Sequence, residues 1–210
     1  MRTSIYDRAR QRAALEHRGH LLLRPEDAPS ELIKSLGRLG RPALLRPTER
    51  EGAREWSLSG TFGHDAFPWH TDGAISSLPP RWLVLRPVEL SGPTTTELLN
   101  PCAELRERLG GTVLLAKDHA GRARYLPALM LTKDGHRLRW DPRTCRPRSP
   151  GVAREVAEAM PTSVIRWELD VTLVFDNYKL MHRRPAVTAS TERVLERTYV
   201  WTPLCGITML

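Results

Sequence analysis

Between Leu21 and Trp201 the chain is cut into short apolar runs, each ended by proline, glycine or a charged turn, and this restricts the folds open to it. Pro79-Pro80 forbids helix and launches Arg81-Trp82-Leu83-Val84-Leu85-Arg86 as a strand. Leu21 to Leu23, Trp56 to Ser59, Thr94 to Leu99, Val113 to Ala116, Val164 to Leu169, Val171 to Phe175 and Val194 to Trp201 read as further strands. Asp134-Gly135, between two apolar segments spanning Leu126 to Trp140, predicts a hairpin. Helical spacing is confined to Arg8 to His17, to a segment from Ser30 through Leu39, to a short stretch after Asn100-Pro101, and to Val152, Val156 and Ala159 after Ser149-Pro150. Thr48 to Arg54 reads as a charged loop and Gly60 to Pro68 as irregular. With many strands, few helices and no βαβ alternation, the chain is expected to be mainly β with flanking helices: a sandwich, barrel or jelly roll.

At 210 residues one domain, 1–210, is expected, large enough to bury a core without staples. Three cysteines, Cys102, Cys145 and Cys205, are scattered without a CxxC pair, so neither a disulfide framework nor a zinc knuckle is indicated. The charged N-terminal stretch and the lack of a long apolar run point to a cytoplasmic protein with no membrane partner. A net charge of +8 favours anionic ligands, but the arginines are dispersed, so nucleic acid is not expected as a partner. A basic nucleic-acid-binding β-barrel is the rival reading that this charge alone would support.

The chemistry centres on Phe67-Pro68-Trp69-His70-Thr71-Asp72-Gly73. In extended backbone His70 and Asp72, two residues apart, project the same way and can grip one cation. A distant histidine in Asp176-Asn177-Tyr178-Lys179-Leu180-Met181-His182 would complete two nitrogens and one oxygen. That is the facial triad of non-haem Fe(II) oxygenases, which leaves cis positions open for co-substrate and dioxygen. Alone, a His-x-Asp and a remote histidine are a weak signal.

Five segments in fixed order sharpen it: Pro68 to Gly73, Pro79-Pro80-Arg81, Gly92-Pro93-Thr94, Asp176-Asn177 before His182, and Arg193-Val194-Leu195-Glu196-Arg197. Together they resemble the taurine dioxygenase and clavaminate synthase-like oxygenases that depend on Fe(II) and 2-oxoglutarate. The resemblance implies a double-stranded β-helix, a cupin-like jelly roll, with metal ligands and catalytic residues at His70, Asp72 and His182. It implies 2-oxoglutarate held by Arg193 and Thr94, O2 as second co-substrate, and Arg197 facing the substrate; Arg139 is a further candidate at the substrate mouth. The expected activity is oxidation, by default hydroxylation, of a small and carboxylate-bearing or amino-acid-like molecule, with release of succinate and CO2. Desaturation and cyclisation would use the same site. A zinc or manganese hydrolase built on the same triad is the rival within enzymes. Pro93, and His182-Arg183-Arg184 in place of the frequent His-Gly-Arg, depart from the pattern.

Overall fold

The computed structural model describes residues 5–53, 57–118, 120–132, 135–188 and 190–202. Helix α1 (Ile5–Arg18) leads into strand β1 (His20–Leu23), helix α2 (Pro29–Leu36) and the short strands β2 (Arg38–Leu39) and β3 (Ala43–Leu45). Helix α3 (Leu58–Phe62) precedes β4 (Trp82–Leu90) and β5 (Thr95–Leu99). Helix α4 (Ala103–Gly110) is followed by β6 (Val113–Lys117), β7 (Ala123–Pro127), β8 (Leu129–Thr132), β9 (Gly135–Leu138) and β10 (Cys145–Pro147). Helix α5 (Pro150–Glu158) precedes β11 (Ser163–Arg166), β12 (Thr172–Asp176), β13 (Met181–Arg183) and the long β14 (Arg193–Trp201).

Two antiparallel sheets form the jelly roll. The larger runs β1-β12-β4-β14-β2, with β3 also on β14, and the smaller runs β11-β5-β13. Strict alternation divides the apolar side chains between layers. Leu83 and Leu85 of β4, Leu173 and Phe175 of β12 and Leu195 of β14 meet Leu98 and Ile165 of the smaller sheet in the space between. Their neighbours Trp82, Val84, Val174 and Val200 face the other way, against Leu15 of α1 and Leu32, Ile33 and Leu36 of α2. On the far side of the smaller sheet, Leu99 and Met181 pack with Leu105 and Leu109 of α4 and Val152 and Val156 of α5. The result is helices, sheet, sheet, helices, with a sheet of β10-β6-β7 alongside.

Several local expectations change. Helix α2 begins at Pro29 with Ala28 as its N-cap, so Ser30 lies inside the first turn, and it stops at Gly37 instead of running through Leu39. Gly37 has φ +146, and a Cβ there would lie 2.1 Å from the Trp201 carbonyl oxygen. The chain turns at this glycine, and Leu39 pairs with Val200 as strand. The strand expected at Trp56 to Ser59 is not formed by its described part: the Ser57 hydroxyl accepts from the Gly60 N–H and starts α3. Trp56 itself lies outside the described residues, as do His119, Asp134 and Cys205. Strands β8 and β9 nevertheless pair across the expected hairpin, Thr132 opposite Gly135. Ala43–Leu45, Cys145–Pro147 and Met181–Arg183 are strands too short to show a period. No helix among the described residues is long and apolar enough to cross a membrane.

Leu173, fully buried between the sheets, is a direct test of this core. Leu173→Ala is expected to lower unfolding free energy by about 2–5 kcal/mol, measured by urea denaturation.

Candidate metal centre

The register of the smaller sheet sets the first ligand. Met181 lies opposite Leu99 and His182 opposite Leu98, so Met181 faces the α4/α5 side while His182 turns into the space between the sheets. There its ring meets Phe175 edge-on at 5.0 Å. His70 lies outside any regular strand, yet its N–H donates to the His182 carbonyl at 3.1 Å and receives the His182 N–H on its own carbonyl at 2.9 Å. This single antiparallel bridge brings the two imidazoles to 4.1 Å between centroids.

Asp72 is placed by the side chain of Asn177. The Asn177 carbonyl oxygen accepts the Asp72 N–H at 2.8 Å, and its amide donates to the Asp72 and Pro80 carbonyls at 2.9 and 3.0 Å. An amide that reads both polar groups of one residue imitates a neighbouring strand where none exists. Gly73, at φ +70, then turns the chain so closely that a Cβ would meet Pro79 and Pro80 at 3.3 Å.

One ligand atom from each of His70, Asp72 and His182 lies within 4.8 Å of the others, the one such cluster among the described residues. Asp72 Oδ1 is 3.8 Å from His70 Nε2 and 3.9 Å from His182 Nε2. Asp72 Oδ2 is taken by two donors, Arg197 Nη1 at 3.0 Å and the Tyr199 hydroxyl at 2.9 Å. His70 Nδ1 lies 2.9 Å from the Pro68 carbonyl, which fixes the proton on that nitrogen and leaves Nε2 as a lone pair facing the cluster. His182 Nδ1 is buried without a partner among the described residues.

The electrostatics suit a cation. Burial would raise the Asp72 carboxyl, but Arg197, then the two histidines and the Tyr199 hydroxyl, hold it down to about 2. Burial, then the facing His70, lowers His182 to about 3, with Asp72 pulling the other way; His70 is also lowered, by burial first. Two neutral imidazoles and one ionised carboxylate are the protonation states that a divalent metal requires, and the cluster adopts them through its own burial and neighbours. The donor set of two nitrogens and one oxygen fits Fe(II).

The cluster opens into a cavity of about 780 Å³ whose lining includes Thr96, Arg193, Arg197 and Tyr199. Arg193, Leu195, Arg197 and Tyr199 alternate along β14 toward it. Arg193 is 6% exposed and donates to the Thr96 hydroxyl at 2.8 Å, while its Nε has no partner. Thr94 is placed differently: it is buried beside a separate hollow with Pro93, Thr95 and Trp167, and the threonine brought against Arg193 is Thr96. Arg197 faces the cavity but is engaged with Asp72. Arg139 does not line the cavity; its Nη1 donates to the Ala74 and Ser76 carbonyls at 2.7 and 2.6 Å and so holds the loop after Asp72. Tyr199, Thr96 and Asn177 were not singled out as site residues from sequence. The first two lie two positions from Arg197 and Thr94, and strand periodicity would have found them.

The whole β architecture can now be compared with known structures. It matches a taurine dioxygenase from Burkholderia xenovorans at 18% identity and a TM-score of 0.69, over 97% of this chain and 84% of that one. This is the taurine dioxygenase fold. The non-haem iron oxygenase OrfP, in complex with Fe, succinate and (3S)-hydroxy-L-Arg, matches at 16% identity and TM-score 0.67, over 96% of this chain and 82% of its own. An asparagine oxygenase in complex with Fe(II), 3-hydroxyasparagine and succinate matches at 15% and 0.68, over 92% and 78%. No protein-family profile and no curated protein sequence matches the chain.

Asn177→Ala would strand the Asp72 N–H and two carbonyls in the interior, at about 1–3 kcal/mol for each buried polar group left unpaired. Stability is expected to fall and Fe(II) or Co(II) affinity to fall with it, by equilibrium dialysis. Leu32→Ala, remote from the cluster, should reduce stability without weakening metal binding.

Proposed function

We propose that this chain is an oxygenase that uses Fe(II), 2-oxoglutarate and O2 to oxidise a small organic molecule. The observation that carries the reading is Arg193. It is a buried guanidinium with no carboxylate at ion-pair distance among the described residues, and it opens into the same cavity as the His-Asp-His cluster. Burial, and then Arg184, pulls its pKa down to about 10, so the protein holds a cation there against a desolvation cost. A dicarboxylate whose one end reaches the metal and whose other end reaches Arg193 relieves that cost.

Thr96 suits the same role. Its oxygen already accepts from Arg193 and from Trp167 Nε1 at 3.0 Å, so both acceptor positions are filled and its own proton is free to donate to a carboxylate. His70, Asp72 and His182 would hold Fe(II) on one face. Fe(II) bound there with 2-oxoglutarate supplies the activation of O2, and 2-oxoglutarate leaves as succinate and CO2. Arg197 and Tyr199 keep Asp72 Oδ2 occupied, which would leave Oδ1, the oxygen nearer the two histidines, available to the metal. Structures of this fold with Fe and succinate bound support the choice of metal and co-substrate. Hydroxylation at a C–H bond is the default outcome of this arrangement.

Anaerobic addition of Fe(II) and 2-oxoglutarate should give the visible metal-to-ligand charge-transfer band; its absence would overturn the proposal. Asp72→Ala is expected to abolish that band and succinate formation together. Arg193→Leu removes a charge-assisted contact of about 1.5–3 kcal/mol. It should raise the KM for 2-oxoglutarate between about tenfold and a hundredfold and leave the KM for the oxidised substrate much less affected, as measured by succinate release.

A further inference from the structure

The structures of this fold described above include complexes with amino acids that carry a free ammonium group, and the cavity of this chain is built against one. Six arginines line it: Arg46, Arg143, Arg183, Arg184, Arg193 and Arg197. Among the described residues the lining contains one carboxylate, Asp72, with one oxygen turned to the two histidines and the other engaged by Arg197 and Tyr199. The acids that neutralise other members stand behind them. Asp141 takes Arg143 at 2.7 Å, Glu97 takes Arg183 at 2.5 Å, and Glu89 meets Arg46 at 3.8 Å on the surface. Arg184 and Arg193 have no carboxylate at ion-pair distance among the described residues.

Two backbone carbonyls beside Arg184 are also taken. Arg184 itself consumes those of Gly63 and Asp65, at 2.7 and 3.0 Å, and lies over the Phe67 ring. An ammonium entering this cavity would lose its hydration, meet like charge and find, among the described residues, no carboxylate that is not already engaged. Once 2-oxoglutarate satisfies Arg193, Arg184 remains as a buried cation with no carboxylate at ion-pair distance among the described residues, while Arg197 is already paired with Asp72. Part of the lining is apolar: Leu44, Leu45, Pro47, Leu58 and Phe67 contribute to it.

We infer that the substrate is an organic oxyanion with an apolar body and no free ammonium group: a simple carboxylic acid or an N-acylated amino acid, and not a free amino acid. This rests on the oxygenase reading above and deepens it. The amide of such an acid fails because it leaves Arg184 unpaired, and the free amino acid fails because it adds a cation beside it.

The test is a matched series on one skeleton: 3-phenylpropanoate, N-acetylphenylalanine, phenylalanine and 3-phenylpropanamide, with the corresponding hexanoate and norleucine set. Binding is read by calorimetry on the enzyme loaded anaerobically with Fe(II) and 2-oxoglutarate, and separately on the metal-free protein, whose arginines are the same. The acid and the N-acyl acid should bind at least about tenfold more tightly than the free amino acid and the amide, and their affinity should fall with added salt. Equal or tighter binding of the free amino acid overturns the inference, as does equal binding of the amide or no binding by any acid. Failure of the oxygenase reading has a different signature: no charge-transfer band and no succinate, whatever the ranking of the acids on the metal-free protein.

Discussion

The site depends on how the carboxylate of Asp72 is shared. Its two oxygens face different neighbours, Oδ1 the two histidines and Oδ2 the pair Arg197 and Tyr199, and its backbone is held on both sides by Asn177. Each restraint originates in a different part of the chain: β14, the turn after β12, and the bridge between His70 and β13. None can be satisfied until the two sheets have closed on each other. The metal cluster is therefore a consequence of the sandwich and not of a local motif, although the motif supplies the side chains. Because burial keeps both imidazoles neutral and Arg197 keeps the carboxylate ionised, no proton needs to leave before a cation binds.

Strand β14 connects this cluster to the rest of the cavity. Period 2 places Arg193, Leu195, Arg197 and Tyr199 toward the inside while Val194 and Val200 pack elsewhere in the core. A register shift between Val194 and Leu195, against β4, lies between the two arginines. The extra residue is Val88 of β4, which is exposed, and the inward alternation along β14 continues past it. Arg193 meets Thr96 of the smaller sheet, whereas Arg197 meets Asp72. Two arginines four residues apart thus face one cavity with unlike partners, one a hydroxyl and the other a carboxylate.

This division explains how far the sequence could be read. His70 and Asp72 were legible because a two-residue spacing in extended chain fixes a shared direction, and the mainly β class because the apolar runs are short and proline-cut. His182 required resemblance, since nothing local shows that a three-residue strand will pair with β5 and bridge to His70. Periodicity put Arg193 and Arg197 on one face but could not say which would find a carboxylate already there. Period 2 would put Thr94 and Thr96 on one face as well, but Thr96 lies within β5 against Arg193, whereas Thr94 stands just ahead of the strand beside a separate hollow. Arg139 looked like a residue of the cavity mouth because charged residues at strand ends usually face solvent; its partners are main-chain carbonyls of the loop after Asp72, which leave no trace in side-chain pattern. The strand expected at Trp56 to Ser59 gave way to a cap, because Ser57 can satisfy a helix N–H that a strand would leave to a neighbour.

The same cavity that suits anionic ligands is a liability for the protein without them. Arg193 and Arg184 are buried cations whose hydrogen-bond partners are neutral, and burial lowers both of their pKa values to about 10. A hydrophobic pair in their place would pack without that desolvation cost, so stability gives no reason to keep them. On the proposed reading, a carboxylate paired with them would offset that cost, and the gain would contribute to ligand affinity. Selectivity follows from the same imbalance. An oxyanion relieves it, a neutral molecule leaves it in place, and a cation deepens it. On that reading, discrimination among ligands would rest on the sign of the charge set by the arginines more than on any single contact.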